Sequence, residues 1–381
     1  MAKVRLTTTN YLDPQLVSNS YVSSAQAAFP VSNLYNAQRR SKVWRSNGHW
    51  EVTSTNQTIV FRETAAGPDL TAFVGVGDYS STAALCAAVK AALEIAGAST
   101  YTVSTDNSTK KLKIASNGGG GDGTFRLRWT AVAAAGFAAM TGFATDVDDT
   151  GALTYTADEL KIHTDEWIKW DMGISTNPTA FILIGPRNAP IKISPSAVIK
   201  LQGNETNVWT APSFDLTILH DDEVISLFSP GGLHTEALRY WRLQVIDPSN
   251  SNGYVEIGSL FLGIFFEPTR GAAVFPLGAQ PVDRSTTMFS EGGQSFSDRR
   301  QKTERFQLSW QHLTIAEKEE LDAVFDEFGT SDPLFVVLDP DLAFSTRVSK
   351  YTRYVKFEGD PQWSLETPGN FSYAMTLREE L

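Results

Sequence analysis

The chain has 381 residues, 42% of them hydrophobic and 20% charged, which suits a soluble globular protein of two or three domains. A formal charge of −11 works against tight binding of duplex DNA, although an acidic wall still lets a polyanion slide past without sticking. The single cysteine, Cys86, leaves no internal disulfide and no cysteine-built zinc centre, and fits assembly in a reducing cytoplasm.

Apolar runs such as residues 182–184 and 260–266 fall far short of the roughly 18 residues a membrane helix needs, so no membrane insertion is expected. The opening MAKVRLTTTN lacks the apolar stretch of a secretory signal. Residues 2–48 are rich in Ser, Thr and Asn and show no helical period, so they read as a peripheral segment ending in a buried Trp44. Arg39, Arg40 and Arg45 are expected at its rim.

From about residue 52 the composition shifts to Ala, Gly and Thr. Residues 81–97 predict a helix, with a Ser/Thr cap, Leu85, Ala88, Val89, Ala92 and Leu93 at helical spacing, and Gly97 as its stop. Cys86 lies inside it, placed to act as a small packed hydrophobe. Strands are expected over 100–105, 110–116 and 124–129, and a short alanine-rich helix over 131–140. The run Gly118 to Gly121 lacks the Gly-Lys-Ser/Thr ending of a phosphate loop and opens no helix, so it reads as a hairpin tip. Strand-like stretches, 49–52 and 165–173, flank this block, which makes 52–159 a small α+β insertion in a sandwich loop.

Further strands follow at 179–185, 197–202 and 214–220, punctuated by Pro, Gly and Asn. Residues 233–263 organise this part of the chain. Trp241, Leu243 and Val245 alternate with Tyr240, Arg242 and Gln244, and Asp247 to Gly253 supply a turn. A second strand then carries Gly258 and Gly263 as bend or bulge points. The two strands are expected to pair as the spine of a β-sandwich, with Trp44, Trp167, Trp241 and Leu243 in its core.

A domain boundary is expected near residues 267–271, with strands at 284–289, 305–310, 334–338, 351–357 and 372–377 beyond it. Between them, Thr314 and Glu317 form a capping box, and Leu321, Val324, Phe325 and Phe328 make an apolar stripe ended by Gly329. Burying those four side chains is worth on the order of 6–10 kcal/mol before entropy, so the helix should dock on a sheet. Residues 290–301 are too polar for a core. Glu291, Gln294, Ser295, Asp298, Arg299 and Arg300 are placed on a hairpin or loop that reaches a neighbouring subunit or a lumen.

Trp44-Arg45-Ser46, the Trp167 to Gly173 segment, Tyr240-Trp241-Arg242-Leu243, and Glu256-Ile257-Gly258 with Leu262-Gly263 resemble the discoidin (coagulation factor 5/8 type C) jelly-roll pattern. The order Glu291-Gly292-Gly293, Arg299-Arg300, Phe306-x-Leu308-x-Trp310, the capped helix and Phe335-Val336-Val337 resembles the tail-tube-like modules of long-tailed bacteriophages. The inserted block is similar to small domains that recur in phage tail proteins. The fold class implied is mainly β. A discoidin-like β-sandwich (1–51 and 160–267) is interrupted by an α+β insertion (52–159) and followed by a tail-tube-like β-barrel with one flanking helix (268–381). The function implied is a structural component of a phage tail tip or baseplate, carried in the virion and assembled in the host cytoplasm. Its partners would be copies of itself in a hexameric or trimer-based ring, the tail tube and the hub, with DNA passing through without specific binding. The alternative implied is a carbohydrate-binding module that attaches to a host surface glycan.

Catalytic and cofactor chemistry finds no motif. His49, His163, His220, His234 and His312 show no metal-ligand spacing, and neither His220-Asp221-Asp222-Glu223 nor Asp146-Val147-Asp148-Asp149 has the alternating oxygens of a calcium loop. No catalytic residue, cofactor or metal is therefore expected, and no enzyme activity.

Overall fold

The computed structural model describes residues 4–12, 19–35, 42–118, 124–186, 189–229, 231–268, 278–300, 302–338 and 351–380. Arg39 and Arg40, most of the glycine-rich run and the expected boundary residues Thr269 to Gly271 lie outside them. The chain is mainly β, with several sheets and three α-helices among the described residues.

A five-stranded sheet has the order Phe214–Ile218, Val198–Asn204, Leu238–Ile246, Glu166–Thr176, Asn19–Val22. Strict alternation turns Ile168, Trp170 and Met172 inward, together with Ile199, Leu201, Trp241, Leu243 and Val245. They pack against Phe181, Leu183, Leu260 and Leu262 of the facing sheet, and Trp44 and Leu34 close the same cluster. Trp167 was expected in this core and is instead half-buried on the outer face. The parity of the strand decides it: with Glu166 and Ile168 inside, Trp167 must point out, and Trp170 takes the core position.

The two strands of residues 233–263 do not pair as a hairpin. Leu238–Ile246 lies between Val198–Asn204 and Glu166–Thr176, whereas Ser259–Phe266 pairs with Ala180–Ile184 and Arg5–Asn10 in the opposite sheet. The connecting turn forms as expected, with Asn250 N–H donating to Asp247 O and Gly253 at φ 79°. It carries the chain across the sandwich, because both strands have apolar inner faces that are better buried against each other than side by side.

The second sheet has ten strands. It runs from Val224–Phe228 through Ala180–Ile184, Ser259–Phe266 and Arg5–Asn10 to Leu334–Val337, Thr352–Phe357, Asn370–Glu379, Thr303–Leu313 and Gly278–Val282. Gln362–Thr367 pairs off this path with Asn370–Glu379. No pairing among the described residues closes the sheet into a barrel. Arg5–Asn10 is central, not peripheral: Leu6 is opposite Phe266 on one side and Val336 on the other. Thr7 Oγ1 accepts from Phe335 N–H and donates to Phe335 O, so the first strand stitches the sandwich to the C-terminal strands. Ala180–Ile184 is buried at every position because clusters cover both its faces, which explains its unbroken apolar run.

Residues between Trp50 and Ala157 pack a cluster of their own, around Phe61, Tyr101, Phe125, Trp129 and Phe137. Helix α1 (Thr82–Ala96) is capped by Ser81 and ended by Gly97, and α2 (Ala135–Thr141) ends at Gly142 with φ 88°. Cys86 is buried, and burial pushes its thiol up to about 11, away from thiolate chemistry. Helix α3 (Ile315–Phe328) has the capping box in full and buries Leu321 and Val324 against the C-terminal strands. Phe325 and Phe328 are half-buried at its flank, Phe325 edge-on to Phe357.

Candidate assembly and binding surfaces

The strands Gly278–Val282 and Thr303–Leu313 form a ribbon that continues into a two-stranded arm, Thr286–Phe289 paired with Ser295–Asp298. Ser290 and Gly293 make its tip, where Gly293 takes φ 79° and its N–H donates to Ser290 O. All side chains from Thr286 to Arg300 are exposed, including Glu291, Gln294, Ser295, Asp298, Arg299 and Arg300. Arg300 pairs with Asp298, and Arg300 N–H donates to Ser285 Oγ at the arm's base.

Beside the polar residues that the sequence pattern marks, the arm carries apolar ones that it does not. Met288, Phe289 and Phe296 are 70%, 74% and 58% exposed. Met288 lies opposite Phe296, so both stand on one face of the arm, with Phe289 on the other. A two-stranded ribbon is marginal in water unless something covers it. A second exposed apolar site lies on the edge strand Gln362–Thr367, where Trp363 and Leu365 are 54% and 57% exposed. This strand is on the far side of Asn370–Glu379 from the arm, and its outer backbone edge has no partner strand among the described residues.

A different chemistry occupies the outer face of the five-stranded sheet. One cross-strand row reads Tyr21, Lys169, Arg242, Gln202, Asp215. The Lys169 ammonium is 3.7 Å from the Trp167 ring centre and 5.9 Å from that of Trp209. The Arg242 guanidinium is 4.6 Å from the Trp209 ring centre, and its Nε donates to Gln202 Oε1. Trp209 projects from the loop after Val198–Asn204, which Asn204 pins by donating to Val208 O. Burial, more than the Arg242 charge beside it, lowers the Lys169 ammonium below its usual value, and burial likewise lowers Arg242.

Behind this face is a buried polar network. His49 is flanked by Asp165 at Nδ1 (3.0 Å) and Asp78 at Nε2 (3.0 Å). Burial opposes its charge, but the hydrogen bond and charge of Asp165, aided by Asp78, push it up to about 9. Glu166 accepts from Ser23, Ser24 and the His49 N–H. His163 is fully buried, and burial pushes it down to about 4. Asp78 lies in the strand Gly77–Tyr79, so His49 links that strand to Asp165 at the start of Glu166–Thr176.

The carboxylates of the acidic turns accept hydrogen bonds from nearby groups of the chain. Asp221 accepts from the N–H groups of Glu223 and Val224, and Asp149 accepts from the Trp129 indole. Among the described residues no group of three or more His, Cys, Asp or Glu side chains converges as a metal site.

No protein-family model matches the chain, and no curated protein sequence matches it. Among solved structures it is similar to a fucose-binding module of Streptococcus pneumoniae, SpX-3. That match has 12% identity, covers 28% of this chain and 69% of that one, and has a TM-score of 0.21. A second similar structure is CpGH89CBM32-6, produced by Clostridium perfringens, with 19% identity, coverage of 26% and 68%, and a TM-score of 0.18.

Proposed function

We propose that this protein is a structural component of a bacteriophage tail tip, joined to copies of itself through its C-terminal strands. The exposed apolar arm carries the reading: it holds Met288, Phe289 and Phe296 in water on a ribbon that alone is marginal. The arm and the Gln362–Thr367 edge are different surfaces on different sides of one sheet, so contact between them is heterologous. Contacts of that kind close into rings or run on as filaments. The module resemblances in the sequence favour a ring around a DNA channel, with the sandwich displayed outside.

The test is light scattering coupled to size exclusion on the full chain, alone and with tail tube protein. A closed multi-subunit species is expected, and Met288→Ser, Phe289→Ser and Phe296→Ser together should reduce it to monomers with an unchanged unfolding midpoint. A wild-type chain that stays monomeric in both conditions overturns the proposal. A second reading, glycan binding for host attachment, is favoured by the indole and cation pairs on the sandwich's outer face. The two readings are compatible, since one uses the C-terminal strands and the other the five-stranded sheet.

A further inference from the structure

The row Lys169–Arg242 sets two cations directly opposite each other on neighbouring strands, an arrangement that destabilises a sheet. Neither makes an ion pair among the described residues. Arg242 is 8% exposed and its hydrogen-bonding side-chain partner is the neutral amide of Gln202. The chain as a whole carries a net charge of −11, and carboxylates act on these cations only through space: Asp165 and Glu51 on both, Asp215 on Arg242 and Asp78 on Lys169. A fold with so many carboxylates had ample means to neutralise the pair and has left it open.

The aromatic groups around it are placed as walls. Trp167 and Trp209 are half-buried, and Tyr21, which pairs with Lys169 across the strands, is 51% exposed. The Trp209 indole N–H donates to Asn207 in its own loop, at 2.7 Å, which holds the ring in place beside the Arg242 guanidinium. Flat aromatic surface beside unneutralised ammonium and guanidinium groups suits a ligand that is both anionic and ring-shaped.

We infer that the outer face of the five-stranded sheet binds a carboxylate-bearing saccharide, with the acid group on Lys169 and Arg242 and the sugar ring against Trp167 and Trp209. A uronate supplies both features at the right scale. A neutral sugar leaves the cations uncompensated, and a bare anion makes no use of the indoles. The inference rests on the glycan reading and is independent of ring formation.

The test is calorimetric and fluorescence titration of the full chain with trigalacturonate, alongside maltotriose as an uncharged trimer and sodium phosphate as a bare anion. Saturable trigalacturonate binding is expected, accompanied by a change in tryptophan emission and weakened by added salt. Maltotriose and phosphate should each bind at least about tenfold more weakly. Lys169→Gln and Trp209→Ala should each weaken trigalacturonate binding about tenfold or more while leaving the urea midpoint near wild type, because neither removes a core side chain. The monomeric arm variant should bind as the wild type does. Absence of saturable binding, equal binding of maltotriose or phosphate, or wild-type affinity in Lys169→Gln would each overturn the inference. A variant that shifts the urea midpoint while keeping its affinity would assign the cluster to stability alone, with the same effect.

Discussion

Replacing Gly263 by alanine tests the claim that the first strand joins the two parts of the large sheet. Gly263 lies opposite Asn10, where the pairing of Arg5–Asn10 with Ser259–Phe266 slips register. A Cβ there would sit 1.9 Å from Thr9 O and 2.9 Å from Phe261 Cζ. Real contacts of this kind stay beyond 3.0 Å, so the Thr9 carbonyl has to retreat by at least about 1 Å. That movement strains the bond from Tyr11 N–H to Leu262 O next to it. Overpacking costs about 1–3 kcal/mol and a lost hydrogen bond about 1 kcal/mol, so a destabilisation of about 2–4 kcal/mol is expected. Urea unfolding followed by tryptophan emission reads it, since Trp44, Trp170 and Trp241 lie in the adjoining core. Gly278→Ala is the control, because its nearest neighbour would be 3.5 Å away, and it should be neutral. A Gly263→Ala chain within about 0.5 kcal/mol of wild type would refute the close approach, and an equal loss in both variants would point to glycine replacement in general.

The remaining predictions concern charge and capping. His49 is raised from 6.5 to about 9 in the folded chain, so its contribution is fully present below about pH 6.5 and is lost as pH rises through 9. The unfolding free energy read from urea titrations should therefore fall between pH 7 and 10 by at most about 3 kcal/mol, and His49→Gln should flatten that slope. His163, held near 4, has the opposite sense: stability falls as pH drops from 6.5 toward 4, because the buried ring must stay uncharged while the unfolded chain takes up a proton. His163→Phe should remove this acid limb in the same titration. Thr314→Ala deletes the hydroxyl that accepts from Glu317 N–H and should cost about 1 kcal/mol, with circular dichroism reporting the loss at α3.

The parts of the fold legible in the sequence are those set by near neighbours. Ser81 and Gly97 delimit α1, Thr314 and Glu317 start α3, and the alternation around Trp241 gives the inner face of its strand correctly. What failed depends on distant partners. Arg-Leu-Thr-Thr-Thr-Asn has little apolar pattern and becomes a central strand because Phe266 and Val336 flank it. Turn chemistry at Asp247 to Gly253 shows that the chain reverses, but not whether the next strand pairs or crosses to the facing sheet. Trp167 was misplaced by one step of strand parity. On the surfaces, the arm's polar residues are exposed on a hairpin. Met288 and Phe289 were missed because two apolar residues ending the polar run Arg284 to Thr287 do not show whether they are covered, and Trp209 because a single indole in a polar loop carries no periodicity. The signal for Trp209 was the polar setting itself, Asn207 and Thr210 around it.

The position of the first strand also bears on manufacture. Residues 5–10 are synthesised well before the groups they bind, Glu267 and Phe335, which follow 262 and 328 positions later. Until then both backbone edges of that segment stay open, and any chain cut short ahead of Leu334–Val337 keeps one of them bare. Chains truncated there are thereby marked by an unfinished sheet, which leaves them to chaperones and proteases.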